Sequence, residues 1–180
     1  ETFEKGIRFF PITADKDIEV YGVSVYCKNN IGSISVALYD ENKNLLKWQD
    51  KKETIVKGQN KFFSDDLIAN ISKGQKIFVG VKNSTNKTYF HTVATTESWL
   101  HLEQKPEDDL DFPSSIEKLT LVNTDAIRIQ LSGKRRSMSI DKLIQLSSET
   151  KSNELPIHLE NLQKRNNVDA LLTSPVFGTG

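Results

Sequence analysis

SISVALYDENKNLLKW, residues 33–48, is the stretch whose reading decides the fold. Ile34, Val36 and Leu38 alternate with Ser33, Ser35 and Ala37, a period of two that belongs to a strand with one buried face and one wet face. Asp40-Glu41-Asn42-Lys43-Asn44 follows, and at Leu45 a new apolar run begins. Asp40, Asn42 and Asn44 stand at alternate positions, as do the first three ligands of a helix–loop–helix calcium loop. The rest of that loop fails, because Leu45 replaces the turn glycine and Lys51 the bidentate glutamate. The pentad reads as the bend of a β-hairpin, since Asn and Asp tolerate left-handed backbone and bond to their own chain.

Working outward, the same texture of short Val, Ile, Phe and Tyr runs between Gly, Asn, Asp and Lys clusters fills the first 132 residues. Strands are predicted at 5–10, 18–27, 33–39, 45–50, 60–64, 76–81, 88–94, 98–103, 117–122 and 126–131. In the second of these the apolar phase slips from Ile18 and Val20 to Val23, Val25 and Cys27. A β-bulge at Gly22 accounts for the slip, because one inserted residue reverses the facing of everything after it. So many short strands with frequent turns predict an all-β fold, an antiparallel β-sandwich of jelly-roll type.

All aromatic residues but Phe177 precede Gly133, and the polar basic stretch Ser132 to Ser137 follows that break. The predicted organisation is a sandwich domain over 1–132 and a short mixed or helical tail over 133–180. Within the tail, SIDKLIQL (139–146) and LPIHLENLQKRNN (155–167) each fit a short helix, and Ile140, Leu143, Ile144 and Leu146 could pack on the sandwich. The chain opens at Glu1 without a leader and stops in a loop-like phrase, so it reads as a piece of something longer.

Composition excludes several classes of function. Lysine plus arginine and aspartate plus glutamate both number 24, so no global field draws in nucleic acid, and Lys134-Arg135-Arg136 is a lone basic cluster without interleaved aromatics. No run approaches the roughly 18 to 20 apolar residues of a membrane span, so no membrane insertion is expected. Cys27 is the only cysteine, and it closes an apolar strand phase as a small core residue does. No nucleophile elbow, phosphate loop, zinc-hydrolase spacing or dinucleotide fingerprint is present, so this stretch is read as non-catalytic and without a cofactor. The one ion the composition invites is a structural calcium in KPEDDLDF (105–112), at Asp108, Asp109 and Asp111; the plainer reading is a solvated acidic loop.

The remaining candidates are aromatic. In TESWLHLE (96–103), placing Leu100 and Leu102 in the core turns Trp99 and His101 outward. In KTYFHTV (87–93), Tyr89 and His91 share a face in the same way, and Trp48 is a second-choice platform. An exposed indole or phenol beside polar groups is what a sugar ring needs, so Trp99, His101, Tyr89 and His91 form the predicted ligand site. The competing reading packs these rings under loops, where large aromatics usually lie.

GIRFFPITADKDIEVYGVSVY (6–26), GSISVALYDENKNLL (32–46), VKGQNKFF (56–63) and ISKGQKIFVGVK (71–82) come in an order that resembles the accessory β-sandwich modules of secreted bacterial hydrolases and phage tail or baseplate proteins. Those modules are galactose-binding-like jelly rolls, and the likeness covers residues 5–83. It implies an appended module outside the cell or on a virion surface, and it transfers no site residue. The expected function is therefore glycan recognition or surface attachment, with a cell-surface polysaccharide as partner. The alternatives are an architectural part of a symmetric homo-oligomer in a phage tail, or the non-catalytic front of a larger glycan-degrading enzyme.

Overall fold

The computed structural model describes residues 3–105, 107–135 and the strand at 169–173. In chain order the strands are β1 (Gly6–Thr13), β2 (Ile18–Cys27), β3 (Ile34–Tyr39), β4 (Leu45–Lys52), β5 (Gly58–Phe63), β6 (Ala69–Ile71), β7 (Lys76–Asn83), β8 (Thr92–Val93), β9 (Trp99–Glu103), β10 (Thr120–Val122), β11 (Ala126–Ile127), β12 (Ile129–Arg135) and β13 (Asp169–Thr173). No helix occurs among the described residues. One sheet has six strands in the order β10-β9-β1-β7-β3-β4; the other runs β13-β12-β2-β5 with β6 also on β2, and β8 and β11 form a small pair. Every pairing is antiparallel, and the chain crosses between the sheets several times, as from β1 to β2 to β3 and from β4 to β5, so it folds as a β-sandwich.

Alternation in the sequence becomes burial in the sandwich. Ile34, Val36 and Leu38 of β3 meet Val23, Val25, Phe62, Ile129 and Leu131 of the other sheet in one core, each within 1% of complete burial. Burying each such side chain contributes about 1.5–3 kcal/mol, which offsets the entropy lost in ordering the strands. The predicted hairpin is present: the amides of Asn42 and Asn44 both donate to Asp40 Oδ1 at 2.9 Å. Asp40 thus spends its carboxylate on the turn backbone, and the left-handed position is taken by Lys43, at φ 66°. The predicted bulge is present as well, for β12 pairs Ser132 with Gly22 and Gly133 with Val20, leaving Tyr21 as the extra residue.

The six-stranded sheet differs from the expected half-wet pattern. Its outer face is covered by the segment 104–119, whose Phe112 and Ile116 pack on Ile7, Phe9, Ala37, Tyr39, Phe78 and Leu100 as a second core. Tyr39 anchors the cover by donating its hydroxyl to the Pro113 carbonyl at 2.6 Å. Gly80 admits it, since a Cβ there would lie 2.8 Å from the Phe112 ring. Both faces of this sheet therefore carry an apolar cluster, the outer one beside the polar row Lys51, Ser35 and Lys82.

Further differences concern the end of the chain. The composition break at Ser132 is not a break in the sheet, because β12 runs on to Arg135 and pairs with β2 as far as Ile18. β13 then adds to the other side of β12, Leu131 opposite Leu172, so part of the predicted tail belongs to the sandwich. The predicted tail helices, with Ile140, Leu143, Ile144 and Leu146, lie outside the described residues. Of the predicted strand 88–94, Thr92–Val93 forms a short strand and Tyr89 and Phe90 form bridges, Phe90 with Cys27, and the run 126–131 is divided at Arg128.

Candidate functional site

With the outer face of the six-stranded sheet covered over its centre, the outer face of the other sheet is the place where aromatic side chains stand in the open. Pairing sets its side chains in rows across β12, β2 and β5: Gln130, Ser24 and Lys61 in one, Ser132, Gly22 and Phe63 in the next. Tyr26 stands opposite Gln59 on one side of these rows, and Lys134 opposite Glu19 on the other. From Arg128 to Lys134 the face extends on the order of 20 Å at about 3.3 Å per residue. Tyr21, Tyr26, Gln59, Lys61, Phe63, Gln130, Ser132, Gly133 and Lys134 line a shallow depression of about 600 Å³ on it.

The bulge makes this face. Because Tyr21 is inserted, Val20 and Val23 both point inward, and Tyr21 and Tyr26 both point outward. Gly22 lets the Phe63 ring lie on the strand backbone, since a Cβ at Gly22 would sit 2.7 Å from Phe63 Cδ1. Phe63, the last residue of the edge strand β5, remains 59% exposed, so a large apolar ring faces water here. Around the rings the polar groups are fixed to one another. The Tyr26 hydroxyl donates to Gln130 Oε1 at 3.3 Å, Gln59 Nε2 donates to Ser24 Oγ at 3.0 Å, and the Arg128 guanidinium stacks on Tyr26 at 4.1 Å. The Tyr21 hydroxyl donates to Glu19 Oε2 at 3.4 Å; desolvation first, then the Glu19 charge, hold that phenol above its ordinary pKa, so it stays protonated. Flat apolar rings flanked by amide and hydroxyl edges match a sugar, whose C–H faces stack and whose hydroxyls exchange hydrogen bonds.

The predicted ligand residues do not assemble. Trp99 is 4% exposed, packed against Phe10 at 5.1 Å in the main core with its Nε1 donating to the Thr124 carbonyl at 3.0 Å, so its ring offers no platform. The premise that burying Leu100 would expose Trp99 fails because each faces a core of its own. His101 is half-buried beside Trp99, in a notch with Glu4, Lys5, Glu103, Gln104, Lys105 and Asp108. Burial, then the Arg8 charge, lower its pKa. Tyr89 is exposed and His91 half-buried, on a segment tied by backbone bonds to Lys28, Tyr26 and Arg128 at the end of the candidate face. Trp48 packs against the main core.

The acidic run also disperses. Asp109 is held below its ordinary pKa by the hydrogen bond and charge of Lys82 at 2.6 Å and lines one depression with Asp111, Lys51 and Lys82, whereas Asp108 lies in the notch beside His101 and gives its carbonyl to Lys5. Among the described residues no group of three or more His, Cys, Asp and Glu side chains could hold a metal ion. Cys27 is fully buried, and burial pushes its thiol up to about 12, which leaves no thiolate for nucleophilic chemistry at neutral pH.

The face carrying Tyr21, Tyr26 and Phe63 was not singled out in the sequence, although a signal for it existed. The predicted bulge at Gly22 already implied that the tyrosines on either side of it share the wet face. What the sequence lacked was the pairing with β5 that brings Phe63 to the same place. No protein-family model matches the chain, and no curated protein or solved structure matches it.

Proposed function

We propose that this protein is a non-catalytic glycan-recognition module that binds through the outer face of the sheet β13-β12-β2-β5. The observation that carries this reading is the juxtaposition of Phe63, 59% exposed, with Tyr21, Tyr26, Gln59 and Gln130 around one depression on the paired strands β12, β2 and β5. Sugar rings stack on the aromatics and exchange hydroxyl hydrogen bonds with the amides, on a scaffold that needs no rearrangement. In this reading the chain is an accessory jelly roll of the galactose-binding-like kind, placed outside the cell or on a virion, where polysaccharide is met.

Affinity electrophoresis through gels cast with plant, bacterial and animal polysaccharides tests it. Wild-type protein is expected to be retarded by at least one of them and the Phe63→Ala variant to migrate freely with an unchanged circular dichroism spectrum. Migration unaffected by every polysaccharide would remove the proposal.

An architectural role is favoured by a different observation. Leu121 is 66% exposed on β10, which is an edge of the six-stranded sheet. A sheet edge presents unpaired backbone groups to a second chain, and an exposed apolar side chain beside them adds surface to bury. A stable oligomer by sedimentation that Leu121→Lys dissociates would favour assembly as the function.

A further inference from the structure

The candidate face is not neutral, although the chain as a whole is. Its outward positions carry Lys61 on β5, Lys134 on β12 and Arg128 just before β12, against two acidic positions, Glu19 on β2 and Asp169 on β13, which stand opposite Lys134 on either side in the register. Among the described residues no carboxylate pairs with any of the three cations. Glu19 is instead bonded to the Tyr21 hydroxyl. Lys61 and Lys134 are both exposed and both line the depression around Phe63, on strands to either side of β2 and in different rows. Arg128 is laid on Tyr26, which pre-orders a guanidinium that would otherwise lose freedom on binding. The cations therefore surround the aromatic platform and are not scattered over the molecule.

We infer that the ligand is an acidic glycan, one whose sugars carry carboxylate or sulfate groups, with the rings seated on Phe63 and the tyrosines and the anions met by Lys61, Lys134 and Arg128. This rests on the reading of the face as a glycan site and adds its selectivity. The amides of Gln59 and Gln130 and the hydroxyl of Ser132 are suited to sugar hydroxyls, whereas three cations form a sparse field for a nucleic acid, which is held by many phosphate contacts. Charge in such an open site acts across solvent, so the acidic preference must weaken with salt while stacking persists.

The test is quantitative binding of the full chain to paired probes. Oligogalacturonate is set beside its neutral methyl ester, chondroitin sulfate oligosaccharides beside their desulfated and carboxyl-esterified forms, and oligothymidylate serves as a nucleic-acid control. Each is measured at about 0.05 M and about 0.5 M salt, where the screening length falls from about 14 Å to about 4 Å. At least one acidic probe is expected to bind about tenfold or more tighter than its neutral partner at low salt, with the two converging at high salt. The double variant Lys61→Gln, Lys134→Gln is expected to bind the acidic probe no tighter than its neutral partner, and Phe63→Ala to bind neither. Which acidic probe wins distinguishes carboxylate from sulfate recognition. Neutral probes binding as tightly as acidic ones, or the double variant keeping the preference, overturns the inference and leaves the glycan site standing. Oligothymidylate binding as tightly as the best glycan overturns the inference in favour of a single-stranded nucleic-acid face. Binding to no probe overturns the inference, and the glycan site then falls only if the electrophoresis above also shows no retardation.

Discussion

At the scale of the residue, Trp99 and Lys43 show how neighbours decide what a side chain does. Trp99 has the alternation of an outward residue and the environment of an inward one. Trp99→Ala is expected to cost about 3–5 kcal/mol, the range for emptying a buried aromatic site, and urea unfolding measures it. A change below about 1 kcal/mol would return the indole to the surface. Lys43 has φ 66°, a backbone conformation that costs an ordinary L-residue about 1–2 kcal/mol and asparagine less. Lys43→Asn should therefore raise stability by about 0.5 kcal/mol with the hairpin unchanged. Cys27 offers a chemical check at the same scale. Its thiol should resist a thiol reagent in the native protein and react at once in denaturant.

At the scale of the element, the hairpin β3–β4 and the phase slip in β2 were legible in the sequence, because each depends on residues within a few positions of one another. Asp40 and Asn44 carry the turn, and Val20 and Val23 mark the bulge. The outer cover of the six-stranded sheet was not legible. It needs Phe112 to reach Gly80 across the sheet, and no local pattern announces that a wet face will be roofed. Leu100 is buried as expected, but under this cover, so Trp99 is left to face the main core. The strand β13 was hidden likewise, since its partner β12 precedes it by a long excursion and its composition differs from that of the sandwich. Gly80→Ala tests the roof directly. Its methyl would meet Phe112 at 2.8 Å and Phe9 at 3.2 Å, and a loss of about 1–3 kcal/mol is expected, with faster proteolysis within 104–119. Unchanged stability and proteolysis would mean that the segment does not seal the sheet.

At the scale of the whole molecule, burial of titratable groups shapes stability against pH. His101 has its folded pKa lowered from 6.5 by burial, then by Arg8, against opposing contributions from Glu103 and Glu4. The unfolded chain therefore takes up the proton first on acidification, and stability is lost as pH falls below 6.5. Cys27 acts at the other end. Its folded value is about 12 against 9.0, so the unfolded chain releases its proton first and stability falls as pH rises above 9.0. Tyr39, raised by burial, acts in the same direction, while Arg8, lowered by burial from 12.5 to about 10, acts oppositely between those values. Urea midpoints across the pH range should fall away on both sides of neutrality. His101→Gln should flatten the acid arm and Cys27→Ala the alkaline one, and arms unaltered by these substitutions would assign the dependence elsewhere.

The same scale holds the functional claim, for only the assembled sandwich brings Phe63 of β5, Tyr21 and Tyr26 of β2 and Gln130 of β12 onto one surface. The measurement that tests it most directly is a glycan-array screen of the wild type beside Phe63→Ala and Tyr89→Ala, one exposed aromatic within the depression and one on the segment at the end of the face. We expect binding by the wild type, its retention in Tyr89→Ala and its loss in Phe63→Ala. Binding that survives Phe63→Ala and disappears with Tyr89→Ala, or none by the wild type, would contradict the assignment of this face.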